Sequence, residues 1–390
     1  MKKIAVFFGG KSYEHDVSVL TGIQVCQVAD PTKYEVIPVY VNKVGRLFIG
    51  PQLLDIKFYP VLEYNEAKLT EVVIPIGETY PHLQQRFGIF KKKIPFDIAF
   101  LAFHGADGES GGWQGLFETA GIPYTGADVK SSAIYMDKFA TKLVCQALDI
   151  KVLKSFLSRK PKMDFYNIKE HLAGFDMEYP VMAKPNSLGS SVGIHKCNNF
   201  DELCAACIEI FNLGDDVLCE PFVENLVEYN VAIMRDGNNN VVTSAIERPN
   251  ASGDVLSFKD KYLANGAKKK GLKKGAVSAM PSRQLIESRR EFNPHITSEQ
   301  EKFIRDSAIK LFGVMGATGA PRIDFISNRE TGDIWLNEVN PIPGAFAFYL
   351  WEMANPRITY QDVVDFAIKN LNSKNQNIDL KQSASVVFRH

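Results

Sequence analysis

The polar residues of this chain that are best placed to do chemistry lie in one stretch near the C-terminus, Gly319 to Gly344. Two short apolar runs, PRIDFIS and IWLNEVN, flank a polar segment, Asn328 to Asp333, with the composition of a hairpin loop. The pattern predicts two adjacent antiparallel strands. Because side chains alternate along a strand, each run places two polar side chains on one face, namely Arg322 with Asp324 and Glu338 with Asn340.

A hairpin centred on Thr331 places Asp324 opposite Glu338, and Arg322 opposite Asn340. Two carboxylates and an amide oxygen then converge on one patch, which is costly to bury unless a cation neutralises it. Oxygen ligands suit Mg²⁺, which also binds substrate phosphates. A solvated polar face is the alternative, and the hairpin alone does not decide between the two.

Composition narrows the classes of partner. The 390 residues suffice for two or three domains, and 45 Lys and Arg balance 45 Asp and Glu. A neutral chain gives no reason to expect nucleic acid or a membrane as partner, so a small molecule is favoured. The apolar run Ile4 to Phe8 is too short for a signal peptide, and no run is long enough for a membrane helix. We expect a soluble, cytoplasmic protein.

Four cysteines raise the question of a zinc site, since Cys204 and Cys207 have the inner spacing of one and Cys197 and Cys219 would complete a tetrad. Cys204 and Cys207, however, lie in an apolar helical pattern, where cysteine behaves as a small hydrophobic residue. Reduced thiols are therefore the favoured interpretation.

The first third of the chain has the pattern of an open α/β sheet. Buried strands are predicted at Lys3 to Phe8, Tyr34 to Val41 and Phe96 to Phe103, and glycine-rich turns follow the first and the last. Glu14 and His104 fall in these turns, at the strand ends where such sheets bind ligands. Helix capping by Glu14 and a structural role for His104 are the alternatives. Little can be assigned between residues 45 and 95.

The middle of the chain contains two lysines of interest. Lys138 lies in a helix predicted at Ser131 to Leu148, and Lys184 ends the apolar strand Tyr179 to Lys184. The loop NSLGSSVG follows that strand, and its amides and hydroxyls could fold over a polyphosphate while Lys184 pairs with it. Solvated lysines are the alternative.

Further along, strands are predicted at Asp216 to Glu220 and Glu228 to Ile233, with a carboxylate on each side of an apolar turn. These carboxylates could accept hydrogen bonds from an adenine amino group and a ribose hydroxyl, or could be surface acids. The basic, glycine-bearing stretch 249–275 predicts a mobile lid. A helix is predicted at Glu299 to Met315, and a loose tail after Phe366.

With these residues in place, the chain resembles the ATP-grasp carboxylate-amine ligases over most of its length, and within them the members that join two D-alanines. The motifs that carry the resemblance occur in the order found in that family: GGKSYEHDVS, HGADGESGGWQG, MDK, AKPNSLGSSVG, the segment from Glu220 to Glu228, DKY, PRIDF and NEVNPIPG. Any one of them is weak, but together and in order they are specific.

The resemblance implies a role for each candidate residue. The ATP phosphates would be held by Lys138, Lys184, Ser190 and Ser191, and adenosine by Glu220, Phe222, Val223 and Glu228. The magnesium ligands would be Asp324, Glu338 and Asn340. The first amino acid would lie at Glu14 and His104, the oxyanion at Arg322 and the Gly344 amide, and the lid would be latched by Glu14, Ser190 and Tyr262. The substrate-binding set would also include Lys261 and Tyr349.

The implied fold is α/β, a three-domain ATP-grasp architecture. Its parts would be an N-terminal open parallel-sheet domain (1–132), a central lid subdomain (133–220) and a C-terminal domain (221–390), the last two enclosing the nucleotide. The implied reaction passes through an acyl phosphate and serves peptidoglycan synthesis. It would use ATP with Mg²⁺, as two ions, or Mn²⁺, in a homodimer, and it would involve neither nucleic acid nor a membrane. This reaction needs neutralisation of the phosphate charge, and it needs no nucleophile from the protein.

One segment departs from the family. After NPIPG the family continues with threonine and with a serine that contacts the second substrate's carboxylate, whereas this chain reads Ala345 to Leu350, AFAFYL. The Tyr349 phenol could replace that donor, or the aromatic residues could shape a pocket for a larger partner. In the family, tyrosine at the position of Tyr262 goes with an amine nucleophile. A ligase for another amino acid or amine, and a non-catalytic nucleotide-binding protein, are the alternatives.

Overall fold

The computed structural model describes residues 1–62, 66–159, 165–190, 192–249, 290–316 and 318–372. The strands are β1 Lys2–Gly9, β2 Tyr34–Val41, β3 Leu47–Ile49, β4 Thr70–Val73, β5 His82–Gln85, β6 Lys93–Pro95, β7 Ile98–Leu101, β8 Phe156–Ser158, β9 Val181–Pro185, β10 His195–Cys197, β11 Val217–Pro221, β12 Leu226–Arg235, β13 Val241–Pro249, β14 Arg290–Phe292, β15 Arg322–Asn328 and β16 Ile334–Asn340. The α-helices are α1 His15–Val28, α2 Gly112–Thr119, α3 Val129–Met136, α4 Lys138–Ala147, α5 Phe165–Gly174, α6 Phe200–Asn212, α7 Ser298–Met315, α8 Phe348–Glu352 and α9 Tyr360–Lys369. Among these helices, none is long and apolar enough to cross a membrane.

The first sheet has the strand order β6-β5-β4-β3-β2-β1-β7. The predicted strands β1, β2 and β7 are confirmed and are parallel, with β1 in the middle. The expectation of an open parallel sheet is wrong for the other four strands, which form an antiparallel extension. Each of these four has only three or four residues. Strands so short give little periodicity, which is why the sequence between residues 45 and 95 could not be assigned.

The helix predicted at Ser131 to Leu148 is wrong as a single element. It is broken at Asp137, whose backbone is extended and whose side chain accepts a 2.7 Å hydrogen bond from the amide of Ala140. Asp137 therefore ends α3 and caps α4, as an aspartate before a helix commonly does. The break makes Lys138 the first residue of α4.

The second sheet is antiparallel, with the order β10-β9-β11-β8. The cysteines Cys197, Cys207 and Cys219 are buried in its core among apolar side chains. Burial raises the pKa of the Cys219 thiol, which keeps it protonated. In the described part of the chain, no group of three or more His, Cys, Asp and Glu side chains is arranged to hold a metal ion. The zinc alternative has no support there.

The third sheet has the order β14-β13-β12-β15-β16. One of its faces packs against α7, which begins with a capping box between Thr297 and Gln300 and ends at left-handed Gly316. Residues of this apolar face, such as Ile323 and Val339, alternate along the strands with polar residues on the opposite face. The C-terminal helices α8 and α9 pack on the core of the first sheet.

These three sheets with their helices confirm the predicted α/β ATP-grasp architecture. The domain limits at residues 132 and 220 stay a prediction.

Candidate active site

The predicted hairpin of β15 and β16 is confirmed, including its register. Asp324 lies opposite Glu338, and Arg322 lies opposite Asn340. A β-bulge between Asp324 and Phe325 leaves Asn337 as an extra residue on β16. The Arg322 guanidinium donates to both oxygens of Asp324 at 2.7 and 2.6 Å, and the Asn340 amide donates to Asp324 at 2.9 Å.

The charge at this hairpin suits a divalent cation. Burial raises the pKa of Asp324, Arg322 lowers it, and the nearby Glu338 carboxylate raises it further, so that the net shift is upward. A carboxylate whose charge is disfavoured despite an arginine partner would gain from a second positive charge. The donor set of two carboxylates and one amide oxygen fits a hard ion such as Mg²⁺, with phosphate oxygens or water to complete its coordination.

The polar row continues across the third sheet beyond the hairpin. Asn230 on β12 lies opposite Asp324, and Glu247 on β13 lies opposite Asn230. The Asn230 side chain donates a 2.9 Å hydrogen bond to Glu247. Sequence reasoning missed Glu247, and its neighbour Arg290 on β14, because only the pairing of distant strands brings them to the hairpin.

Lysines face the row from the elements beside it. The ammonium of Lys138 lies 3.5 Å from a carboxylate oxygen of Glu338 and donates to the Leu188 carbonyl at 2.7 Å. The ammonium of Lys184 donates to the Asn337 side chain at 3.0 Å. Both predicted lysines therefore lie beside β16, and Asn337 is a contact that the sequence analysis did not single out.

A buried ion cluster underlies Lys184. The two carboxylate oxygens of Glu220 lie 2.5 Å from the ammonium groups of Lys142 and Lys184. Burial raises the pKa of Glu220, but the two positive charges outweigh it and hold the pKa at about 2. Glu220 is thus ionised and already bound on both sides. Lys142 lies one helical turn after Lys138, and the sequence analysis did not single it out.

The other predicted adenosine residues follow β11. Phe222 and Val223 are half-buried, and the Lys196 ammonium lies 4.0 Å from the centre of the Phe222 ring. Glu228 lies exposed on β12. Glu228 shares a face of β12 with Asn230, two residues away.

The loop after β9 meets the first sheet at Glu14. The Ser190 hydroxyl donates a 2.5 Å hydrogen bond to a Glu14 carboxylate oxygen, with the Ser190 backbone in the left-handed region at φ 57°. Two of the three predicted latch residues are therefore in contact. Ser191, Lys261 and Tyr262, together with the lid predicted at 249–275, lie outside the described residues apart from Pro249.

His104 is buried, and its imidazole Nε2 lies 2.7 Å from the Thr21 hydroxyl. It also makes a hydrogen bond to the backbone of Ile342, and burial lowers its pKa to about 4. The Thr21 hydroxyl in turn accepts from the Ala345 amide at 3.1 Å. In this structure His104 holds the loop around Gly344 through Thr21 and Ile342.

Glu109 also holds this loop. Its two carboxylate oxygens accept hydrogen bonds from the amides of Gly105 at 2.6 Å and Ile342 at 2.8 Å. Burial and the nearby Glu14 charge raise its pKa to about 8. The sequence signal was its place in the motif HGADGES beside His104, but its partner Ile342 is distant in the chain.

The aromatic residues after Gly344, where the chain departs from the family, fall into two groups. Phe346 and Phe348 are buried in the core of the first sheet, against Phe100 and Tyr360 respectively, so the idea that these rings shape a substrate pocket is wrong. Tyr349 alone turns to the polar row, where its hydroxyl donates to Glu247 at 3.3 Å.

Three parallel central strands, two antiparallel sheets, and lysines that face a carboxylate hairpin define the class of this protein. It is an ATP-dependent carboxylate-amine ligase of the ATP-grasp fold. The profile of the family D-ala D-ala ligase N-terminus matches residues 3–127, and that of D-ala D-ala ligase C-terminus matches residues 145–369. The chain belongs to the D-alanine–D-alanine ligase family. This family uses ATP and depends on a divalent metal ion in general.

Individual relatives support this family assignment. The chain is 33% identical over 368 residues to the D-alanine–D-alanine ligase of Thermosipho melanesiensis, covering 94% of this chain and 92% of that protein. It is 30% identical over 401 residues to that of Geobacillus kaustophilus, covering 99% and 98%. Among solved structures, the VanG D-Ala:D-Ser ligase from Enterococcus faecalis is similar with a TM-score of 0.74 at 26% identity, covering 94% of this chain and 98% of that one.

Proposed function

We propose that this chain joins two D-alanine molecules in an ATP-dependent reaction that supplies peptidoglycan synthesis in the cytoplasm. The observation that carries the proposal is the facing arrangement of Lys138 and Lys184 with the hairpin of Asp324 and Glu338. Such an arrangement binds a nucleotide polyphosphate between cations and a metal site. The names of the relatives supply the amino acid.

In the proposed reaction, the carboxylate of the first D-alanine attacks the γ-phosphorus of ATP, which forms an acyl phosphate and releases ADP. The amino group of the second D-alanine then adds to the acyl carbon and gives up a proton. The tetrahedral intermediate expels phosphate and leaves the dipeptide. Each step moves negative charge, so the main task of the protein is to neutralise that charge in place.

Different residues of the site carry out different parts of this charge neutralisation. Lys138 and Lys184 neutralise the ATP phosphates, and Glu14 pairs with the ammonium of the first D-alanine. Arg322 and the Gly344 amide stabilise the oxyanion, while His104 and Glu109 position the loop that carries Gly344. Glu220, Phe222, Val223 and Glu228 enclose adenosine, and Asp324, Glu338 and Asn340 would hold two Mg²⁺ ions, or Mn²⁺, which neutralise phosphate charge.

Phosphate release with ATP, Mg²⁺ and a panel of D- and L-amino acids tests the proposal. We expect release with D-alanine and D-alanyl-D-alanine as the product by mass. No release with D-alanine, or equal release with L-alanine, would refute it. We also propose a homodimer, which sedimentation measures directly.

A second function is favoured by the segment after Gly344, which lacks the serine that the family has there and contains Tyr349. A structural relative is named as a D-Ala:D-Ser ligase. Joining D-alanine to a different second amino acid is therefore the second candidate. Products from D-alanine mixed with other amino acids, and with D-lactate, separate the two.

A further inference from the structure

Arg290, Glu247 and Tyr349 form a cluster at the end of the polar row in which each residue contacts the other two. Arg290 Nε lies 3.1 Å from one carboxylate oxygen of Glu247. The other Glu247 oxygen accepts from the Tyr349 hydroxyl at 3.3 Å, and the Arg290 guanidinium lies 4.1 Å from the centre of the Tyr349 ring. Each residue is thus held by both of the others, and a guanidinium that is stacked and paired has a fixed orientation.

The pairing of the strands places this cluster on the active-site face of the third sheet. Arg290 lies opposite Pro249, and Pro249 shares a face with Glu247, two residues away. Glu247 lies opposite Asn230, which lies opposite Asp324. The order across the face is therefore Glu338, Asp324 with Arg322, Asn230, Glu247 and Arg290. Glu247 also lies close enough to raise the pKa of both Arg322 and Asp324.

This order assigns the two sides of Arg322 to different parts of the reaction. The lysines and Glu338 lie on one side, where the proposed function places ATP and the leaving phosphate. The second amino acid must reach the acyl carbon from a side that the phosphate does not fill. The cluster lies on that other side, and it offers a cation, Arg290, beside Glu247, which alone would repel a carboxylate.

We propose that Arg290, oriented by Glu247 and Tyr349, receives the carboxylate of the second amino acid and so restricts the second substrate to compounds that carry one. Arginine suits this role because its planar guanidinium binds a carboxylate through two hydrogen bonds. The Tyr349 hydroxyl donates its proton to Glu247, so Tyr349 acts on Arg290 and not as the direct donor that the sequence suggested. This inference rests on the proposed function.

The test compares two acceptors that differ only in the carboxylate, D-alanine and D-alaninamide, with D-alanine as the first substrate. D-alaninamide has no carboxylate to activate, so it can act only as the second substrate. We expect the wild-type enzyme to favour D-alanine by about tenfold to a hundredfold in kcat/KM, the range for a charge-assisted pair of hydrogen bonds. In Arg290→Met this preference should collapse, while the KM values for ATP and the first D-alanine stay unchanged.

Arg248→Met is the matched control. Arg248 lies on the same pair of strands, opposite Glu291 and ion-paired with it, but on the other face of the sheet. We expect this variant to keep the wild-type preference. Arg290→Lys should keep part of the preference, since it retains the charge and loses the planar fork.

The outcomes separate the two proposals. No D-alanine-dependent phosphate release by the wild-type enzyme refutes the proposed function. If release occurs, equal use of the two acceptors by the wild type overturns the role of Arg290, even if Arg290→Met does not fold. A full preference retained by Arg290→Met also overturns it.

Discussion

Replacing Lys142 with methionine tests the buried ion cluster of Lys142, Glu220 and Lys184. The side chains of Lys142 and Glu220 are only 1% and 2% exposed, and their charged atoms are 2.5 Å apart. Removing one partner of a buried pair costs about 3 to 5 kcal/mol, because a charge is left without compensation. Since Glu220 keeps Lys184 as a partner, we expect a loss at the lower end of this range, about 3 kcal/mol.

Chemical unfolding of Lys142→Met and of Lys302→Met as the matched control measures this loss. Lys302 pairs with Asp306 on the surface of α7, where an exposed pair is worth about 0.2 to 1 kcal/mol. Adding Glu220→Gln to Lys142→Met should cause a further loss of stability, because the buried Lys184 ammonium then loses its carboxylate partner. Equal losses in the two lysine variants, or no further loss in the double variant, would refute the reasoning.

The cluster also makes stability depend on pH. The folded-state pKa of Glu220, about 2, lies below the ordinary value of 4.5, so its stabilising contribution is complete above about pH 4.5 and is lost as the pH falls towards 2.

Three further substitutions test the site. Glu338→Gln should abolish turnover while the thermal melting curve stays near wild type, because it removes one charge from the metal ligands at constant size; near-normal activity would contradict the metal assignment. Lys184→Ala should weaken ATP binding measured by calorimetry, and unchanged nucleotide affinity with a large loss of thermal stability would favour a structural lysine. Glu109→Gln should become more stable relative to wild type as the pH rises from about 5 to 8. The folded-state pKa of Glu109 is raised to about 8, so in this range Glu109 loses its proton in the unfolded state but keeps it in the folded state, which destabilises the wild-type fold. If the difference in melting temperature between the variant and the wild type is the same at both ends of this pH range, the reasoning is wrong.

The parts of the site that the sequence predicted are local. The hairpin register followed from alternation and loop length, and the structure places Asp324 opposite Glu338 as expected. The parts that it missed depend on distant pairings. Nothing near Glu247 or Arg290 in the sequence shows that β13 and β14 extend the row, and the partner of Glu109 is Ile342.

The helix break at Asp137 illustrates a different limit. The apolar periodicity on either side of it continues well enough to predict one helix, yet Asp137 can cap a new one. A capping residue within a periodic run thus competes with helix continuation, and tertiary contacts decide between them. Here the amide of Phe139 bonds to the Asn186 side chain and that of Lys138 to the Asn186 carbonyl, next to the loop after β9. The break therefore ties Lys138 to that loop.

The segment after Gly344 shows how the backbone of this loop can be held in place although the residues that follow it differ from those of the family. Ala345, Phe346 and Ala347 all have left-handed backbones, at φ 50°, 55° and 49°, each costing about 1 to 2 kcal/mol for a residue with a side chain. Burial of the Phe346 ring, which offers about 1.5 to 3 kcal/mol, offsets only part of this cost. The remainder must come from contacts that hold the loop from outside, and the hydrogen bonds that the amides of Ala345 and Ile342 donate to Thr21 and Glu109 are of that kind. Helix α1 and the loop after β7 therefore fix the backbone beside Gly344, which leaves Tyr349, at the end of the same segment, to orient Arg290 for the second substrate.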